Sequence, residues 1–375
     1  MPGPRRLLIL INSLAAGGAE NFVLNQLRYT DRARFEPSVC QIGGSDTLRA
    51  AIEALGVEVF NLRERRRPDP RSLARLAVLL GRRRPQILQA HNPYAVIAAR
   101  LVGRLARVKA VVTTEQGMHY QYQPRTRNAL DLTLGLSHVN VFISRACFDA
   151  TAKQHPELRR SEPTIIPNGI DARAIAVAAD GSRAAVRAEL GIGSDDLAFA
   201  NVARLVPVKG QRYVIDAFAQ TLARVPTARL FLCGIGPLRE ELERQADAVG
   251  ARGRVHFLGE RTDIPRLLGG FDAYVHPATT EALGIAVLEA MSAGLPTIGA
   301  ATDALPEFIE PERTGWLVPP RDIAALVDRM VWIAHHRAEA ATIGRRARET
   351  ITRAYDIQAS VRAYEALYDR LSGSY

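Results

Sequence analysis

Phe271-Asp-Ala-Tyr-Val-His-Pro-Ala-Thr-Thr-Glu281-Ala-Leu-Gly284-Ile-Ala-Val-Leu-Glu289-Ala-Met-Ser-Ala-Gly294-Leu-Pro296 reads as a strand, a loop and a helix in succession. Phe271 to His276 is a short apolar run that predicts a buried strand, leaving into a loop at Pro277. Ile285 to Ala293 predicts a helix, stopped by Gly294-Leu-Pro296. Two carboxylates, Glu281 and Glu289, bracket the junction. A helix N-terminus binds anions through its free amides and its dipole, so a phosphate fits over Gly284, Ile285 and Ala286. Eight residues at the helical rise span roughly 12 Å, comparable to a nucleotide sugar from hexose to ribose. Carboxylates are poor phosphate ligands but good acceptors for sugar hydroxyls, which assigns one acid to each sugar. Two Glu at this spacing are common solvated charges on a helix, so the neighbouring loops decide between the readings.

Upstream, Ala198 to Ala203 is strand-like and runs into Arg204-Leu-Val-Pro-Val-Lys209-Gly210. Two cations on a loop punctuated by Pro207 and Gly210 can close on one diphosphate. Next, Arg229-Leu-Phe-Leu-Cys-Gly234-Ile-Gly236 is a strand entering a glycine turn, where backbone can approach a base or a phosphate closely. Ligands of open α/β sheets bind at the carboxyl ends of strands, and these are three such loops with site chemistry.

Together, Arg204…Lys209, Gly234-x-Gly236, Glu281-x7-Glu289 and Asn168-Gly-Ile-Asp171 resemble the retaining glycosyltransferases of family 4. The resemblance runs nearly the whole chain, from Gly17-Gly18-Ala-Glu20 through His91-Asn-Pro to Gly315-Trp-Leu-Val-Pro-Pro. It implies an α/β chain of GT-B fold, two Rossmann-like domains facing each other across a cleft that holds the active site. Residues 1–168 are then the acceptor-binding domain and 169–357 the nucleotide-sugar domain. Residues 358–375 form a last helix expected to pack back on the first domain. The implied reaction moves a hexose-type sugar from a nucleotide-diphosphate sugar to an acceptor hydroxyl, with retention. Arg204 and Lys209 bind the diphosphate, Glu281 the donor sugar and Glu289 the ribose; UDP is favoured over GDP by family frequency. No cofactor is implied beyond this donor. No Asp-x-Asp motif stands at a strand end, so no metal is implied either.

A chain of 375 residues with 47% hydrophobic content has ample core for two domains. No run approaches the roughly 18 apolar residues of a spanning helix, and Leu7 to Ile11 fits a first strand better than a signal peptide. Cys40, Cys147 and Cys233 show neither disulfide nor zinc spacing, which points to reduced thiols and a cytoplasmic setting. The net charge of +10 is uneven: residues 1–170 carry 25 Lys and Arg against 13 Asp and Glu, residues 171–375 24 against 26. Arg63-Glu-Arg-Arg-Arg67 and Arg82-Arg-Arg84 are the densest clusters. With 6% aromatics and no recognition motif, nucleic acid is the weakest of the possible partners. The acceptor is expected to be lipid-linked, as many in the family are. An anionic membrane surface, met peripherally at its inner face, stands level with plain solvated arginine.

Alternating patterns along the chain argue parallel sheets with helices on both faces. Strands are expected at 7–11, 38–42, 57–61, 87–90, 110–114 and 139–143, then at 198–203, 229–233, 255–258, 273–276 and 296–299. A final amphipathic helix covers 360–371, with Ser360 as its N-cap. Gly17 and Gly18 turn the first strand into a helix and leave room for a diphosphate or acceptor. His91, at a strand end, and Asn168 lie on the acceptor or donor-sugar side that the family likeness implies. Gln116 departs from the family, many of whose members have His there. Gln can bond a sugar hydroxyl but carries no proton, so either it only positions the sugar or His119 has taken over. Asp303-Ala304 stands where Gly-Gly is usual before Pro-Glu, and Arg321 follows Pro320 where Gly is usual. A nucleotide-sugar 2-epimerase on the same fold is the alternative. A Rossmann oxidoreductase would need a different glycine spacing after the first strand, and a non-catalytic subunit would lack the cations or Glu281.

Overall fold

The computed structural model describes residues 3–15, 17–64 and 69–373. Arg65, Arg66 and Arg67 of the first basic cluster lie outside the described residues. The chain divides into two compact units, residues 1–169 with 357–375 and residues 170–356.

The first unit is built on seven strands: β1 (Arg5–Ile11), β2 (Phe35–Gly43), β3 (Glu58–Glu64), β4 (Ile87–His91), β5 (Ala110–Glu115), β6 (Val139–Phe142) and β7 (Thr164–Ile165). Their order is β3-β2-β1-β4-β5-β6-β7, and every described pair is parallel. All residues of β4 and β5 are buried. That is why these strands read as continuous runs without alternation: helices cover both faces. The second unit carries β8 (Leu197–Val202), β9 (Ala228–Cys233), β10 (Val255–Gly259), β11 (Ala273–His276), β12 (Thr297–Ala300) and β13 (Trp316–Val318). They are ordered β10-β9-β8-β11-β12-β13, again parallel. The three-residue β13 was not legible, being too short to show a period.

In each sheet the winding reverses once, beside β1 in the first unit and beside β8 in the second. The carboxyl ends of strands at such a reversal point are where open α/β sheets take ligands. Two pairs of loops are thereby singled out by topology: those after β1 and β4, and those after β8 and β11.

The last helix, Ile357–Ser372, belongs to the first unit. Tyr364, Leu367 and Tyr368 enter the core formed by Leu7, Ile9, Phe22 and Phe35. The Tyr368 hydroxyl donates to Gln89 Oε1 at 2.6 Å and accepts from Gln26 Nε2 at 3.0 Å. Arg34 reaches Glu365 at 3.0 Å and also pairs with Asp369. Ser360 is not its N-cap: it lies inside the helix, and its Oγ donates to Pro167 O at 2.8 Å. Among the described residues no helix is long and apolar enough to cross a membrane. All three cysteines are free and buried.

Behind β5 sits a charge that sequence patterning does not reveal. Arg100, on the helix Pro93–Leu105, is fully buried. Its guanidinium donates to Glu115 Oε1 at 3.0 Å, Asn140 Oδ1 at 2.6 Å, Ser137 Oγ at 2.9 Å and Leu130 O at 3.2 Å. Breaking such a pair leaves an uncompensated buried charge and costs about 3–5 kcal/mol. Arg100→Met is expected to destabilise the first unit by that amount, read by far-UV circular dichroism in denaturant, and Glu115→Gln in the same background to recover part of it. Both tryptophans, Trp316 and Trp332, lie in the second unit, so the intrinsic fluorescence transition stays in place.

Candidate functional site

The loops after β8 and β11 meet through charge. The loop after β8 turns at Pro207–Lys209 and at Gly210, whose φ is 68°. A Cβ at Gly210 would stand 2.2 Å from Pro277 O, so this residue lets the two loops touch. Lys209 Nζ then lies 2.5 Å from Glu281 Oε2, and His276 Nε2, at the end of β11, lies 2.8 Å from the same oxygen. No described residue bonds Glu281 Oε1, which remains available to a hydroxyl. Burial pushes the Glu281 carboxyl up, but Lys209 and His276 outweigh it and hold it at about 2. His276 is buried, which lowers it, with Glu281 opposing. Neutral, it donates from Nε2 to Glu281, while its Nδ1 stands 3.4 Å from the Tyr274 hydroxyl. Tyr274 in turn donates to Val202 O at 3.1 Å, so the array is tied back to β8.

Asp303 completes the hold on Glu281. Its Oδ2 accepts from the Glu281 amide at 2.9 Å, and the Ala304 amide donates to Glu281 O at 3.2 Å. Asp303 has φ 42° and Arg321 has φ 67°. Both stand where the sequence departs from an expected glycine. The backbone keeps a conformation that glycine favours, and Asp tolerates it better than most residues. Asp303 is used to clamp Glu281.

Arg204 is exposed, and its side chain has no hydrogen bond or ion pair among the described residues. The loop beneath it is rigid. A Cβ at Gly234 would meet Ala203 O at 2.0 Å, and one at Gly236 would meet Leu205 O at 2.3 Å. The close approach read from these glycines as one made to a ligand is thus made first to the backbone around Arg204. Gly284, at φ 88°, precedes the helix Ile285–Ser292, whose N-terminus no side chain caps. Glu289 is half-buried and has no hydrogen bond or ion pair among the described residues. Burial raises its carboxyl to about 7.

In the first unit the loops after β1 and β4 also meet. Gly17 is the N-cap of the helix Gly18–Tyr29, and a Cβ there would strike Glu20 Oε2 at 2.4 Å. Glu20 is a first-turn acid, accepting from Asn92 Nδ2 at 3.0 Å; burial raises its carboxyl. Gly18 is exposed in the first turn. His91, Gln116 and Asn168 form one polar chain. Gln116 Nε2 is 2.8 Å from His91 Nδ1, and Asn168 Nδ2 donates to Gln116 Oε1 at 2.6 Å. His91 Nε2 and Asn168 Oδ1 are buried without a hydrogen-bond partner. His119 does not join them. It points Nε2 at Asp131 Oδ1, 2.6 Å away, so it has not taken the place of the missing His at position 116.

Sequence reasoning thus gathered Lys209, Glu281 and Gly284, and separately His91, Gln116 and Asn168. It missed His276 and Tyr274, which sit in the quoted strand with no spacing to mark them. A buried His followed by Pro at a strand end was the available signal.

Two family models match the chain: "Glycosyltransferase Family 4" over residues 16–174 and "Glycosyl transferases group 1" over residues 182–350. The UDP-Gal:alpha-D-GlcNAc-diphosphoundecaprenol alpha-1,3-galactosyltransferase of Escherichia coli is 25% identical over 84% of this chain and 84% of its own. The putative glycosyltransferase EpsF of Bacillus subtilis is 27% identical over 97% and 96%. Among solved structures, Anabaena Alr3699/HepE in complex with UDP and glucose superposes with a TM-score of 0.86 at 22% identity, over 98% of this chain and 100% of that one. Nothing in these likenesses supports the 2-epimerase alternative. With two parallel-sheet Rossmann-like units and both family models in chain order, the protein belongs to the family 4 glycosyltransferases of GT-B fold, and it is a glycosyltransferase.

Proposed function

We propose that the chain transfers a sugar from a UDP-sugar to a hydroxyl of a lipid-linked acceptor, with retained anomeric configuration and without a metal ion. The observation that carries the reading is the Lys209–Glu281–His276 array at the winding reversal of the second sheet, with an unpaired Arg204 on the same loop as Lys209. In this reading the bond from the anomeric carbon to the donor phosphate breaks and the diphosphate leaves with the electron pair. The acceptor oxygen bonds the same face, and its proton passes to a donor phosphate oxygen. Lys209 spends one of its three N–H donors on Glu281 and keeps two for phosphate. Arg204 adds a planar fork that suits a diphosphate, and the helix N-terminus at Ile285 adds amides. These groups supply the positive charge that a divalent cation supplies in other transferases. Glu281 Oε1 accepts from the sugar and Glu289 from the ribose.

The donor and acceptor follow from weaker supports. The Escherichia coli relative is named for transfer from UDP-Gal to a diphosphoundecaprenol-linked sugar. The excess positive charge lies in residues 1–170, and an anionic leaflet attracts such a surface. In this reading the protein works in the cytoplasm, peripherally at the membrane, in envelope polysaccharide synthesis.

Two measurements test the reading. Glu281→Gln and Lys209→Ala should each lower kcat/KM for the preferred member of a nucleotide-sugar panel by about 100- to 1,000-fold, the scale of one lost preorganised polar contact. Unchanged turnover in Glu281→Gln removes its assigned role. The second is a pH profile of stability. Glu289 holds its proton to about pH 7 in the folded chain and releases it near its ordinary value of 4.5 when unfolded. The folded state then binds more protons across that window, so Glu289 lowers stability as pH rises from about 4.5 to 7. Glu289→Gln should flatten this decline, and saturating UDP should also oppose it if ribose hydroxyls bond the carboxylate.

A further inference from the structure

We propose that His119, Asp131 and His155, in the first unit, form a binding site for a divalent cation of the zinc class. One ligand atom from each lies within 4.8 Å of the others. His119 Nε2 is 2.6 Å and His155 Nε2 is 2.9 Å from the same oxygen, Asp131 Oδ1. The two imidazole rings stand 85° apart with centroids 6.2 Å apart, approaching a common centre from different sides.

The polar contacts of the cluster accommodate a cation. A carboxylate oxygen only accepts, so in a purely hydrogen-bonded cluster both Nε2 atoms must carry protons. His155 Nδ1, however, lies 3.1 Å from Glu157 Oε1, a second acceptor. His155 would then need protons on both nitrogens. A metal ion at the centre removes that requirement: it takes the two Nε2 lone pairs and the Asp131 oxygen, and leaves the His155 Nδ1 proton to Glu157. A ligating imidazole that donates its other N–H to a carboxylate is the usual outer support of such sites. Two imidazoles and one carboxylate suit zinc and its neighbours and do not suit magnesium or calcium, which prefer oxygen. His119 is buried, while His155 and Asp131 are half-buried, which leaves one side open for a water as fourth ligand.

The three residues come from separate segments. His119 opens the turn His119–Gln121 after β5, Asp131 is on the helix Pro124–Thr133, and His155 precedes the turn Pro156–Arg160. An ion here staples these segments and fixes the stretch that leaves β5 through Gln116. It lies in the first unit, whereas Lys209 and Glu281 lie in the second.

The test uses the full chain freed of metal by chelation and dialysis. Titration with Co2+ should give one equivalent of tight binding with the visible absorption of a four-coordinate ion, displaced by one equivalent of Zn2+. Zn2+ should raise Tm by at least about 3 °C. His155→Gln and Asp131→Asn, each checked for a native circular dichroism spectrum, should weaken Co2+ binding about 100-fold or more and abolish the Tm rise. His335→Gln, which alters an exposed His on the second unit, should leave both unchanged. The proposal is overturned if the wild-type chain takes up no stoichiometric ion, or if His155→Gln binds as tightly as the wild type.

Discussion

The contact between Lys209 and Glu281 organises the second unit's site. It joins the loops that follow β8 and β11, the two strands at the winding reversal, with side-chain exposures of 18% and 11%. Removing two charges from water is costly, and the mutual attraction repays it only when the geometry is good and the remaining lone pairs are used. Here His276 takes a second bond to the same oxygen, and Asp303 and Ala304 hold the Glu281 backbone. The pair's contribution is therefore orientation more than stability. In the proposed reading, a fixed carboxylate beside a fixed ammonium meets a ligand with hydroxyls at one end and phosphate at the other, and needs little reorganisation when the ligand arrives.

That orientation depends on backbone geometry that side chains could not provide. Gly210 allows the β8 loop to lie against Pro277, and Gly234 and Gly236 allow the turn after β9 to lie against residues 203–205. Arg204 itself is exposed, yet its main chain is fixed: the Leu205 amide donates to Ile235 O at 2.9 Å and Gln211 Nε2 donates to Arg204 O at 3.0 Å. A free side chain on a rigid stem is a suitable design for gripping a mobile anion. The rotamer freedom is lost only on binding, and the direction of approach is already set.

How far the sequence could be read follows from the range of each interaction. Parallel strands flanked by helices announce themselves through apolar runs and glycine punctuation, so both sheets were legible, apart from the short β7 and β13. The β8 loop, Glu281 and the glycine before Ile285 were legible because they are local: each is a few residues at a strand end. His276 was not, because its role comes from a carboxylate five residues on and folded back over it. Arg100 was not, because a helical arginine normally faces water, and its partners come from four other segments. Ser360 misled as a cap because the helix begins a turn earlier, at Ile357, and the hydroxyl is used instead to bond Pro167. Asp303 illustrates a third case. Its departure from glycine was visible, but only φ and the Glu281 amide show that the residue serves the site.

If the first unit takes the acceptor as proposed, its polar chain bears on where the acceptor's proton goes. Gln116 spends its amide N–H on His91 and its carbonyl on Asn168. Bonded at Nδ1, a neutral His91 carries its proton on Nε2, and burial lowers its pKa to about 3. It therefore takes up no proton at neutral pH, and Gln116 cannot take one at all. A general base must have a pKa near the working pH, and neither residue at this position offers one. The nearest ionisable neighbour along the chain, Glu115, is committed to Arg100 behind the strand. Such an array can orient hydroxyls but cannot accept a proton from them. This accords with the proposal that the leaving phosphate is the base, with the side chains serving to hold its charge.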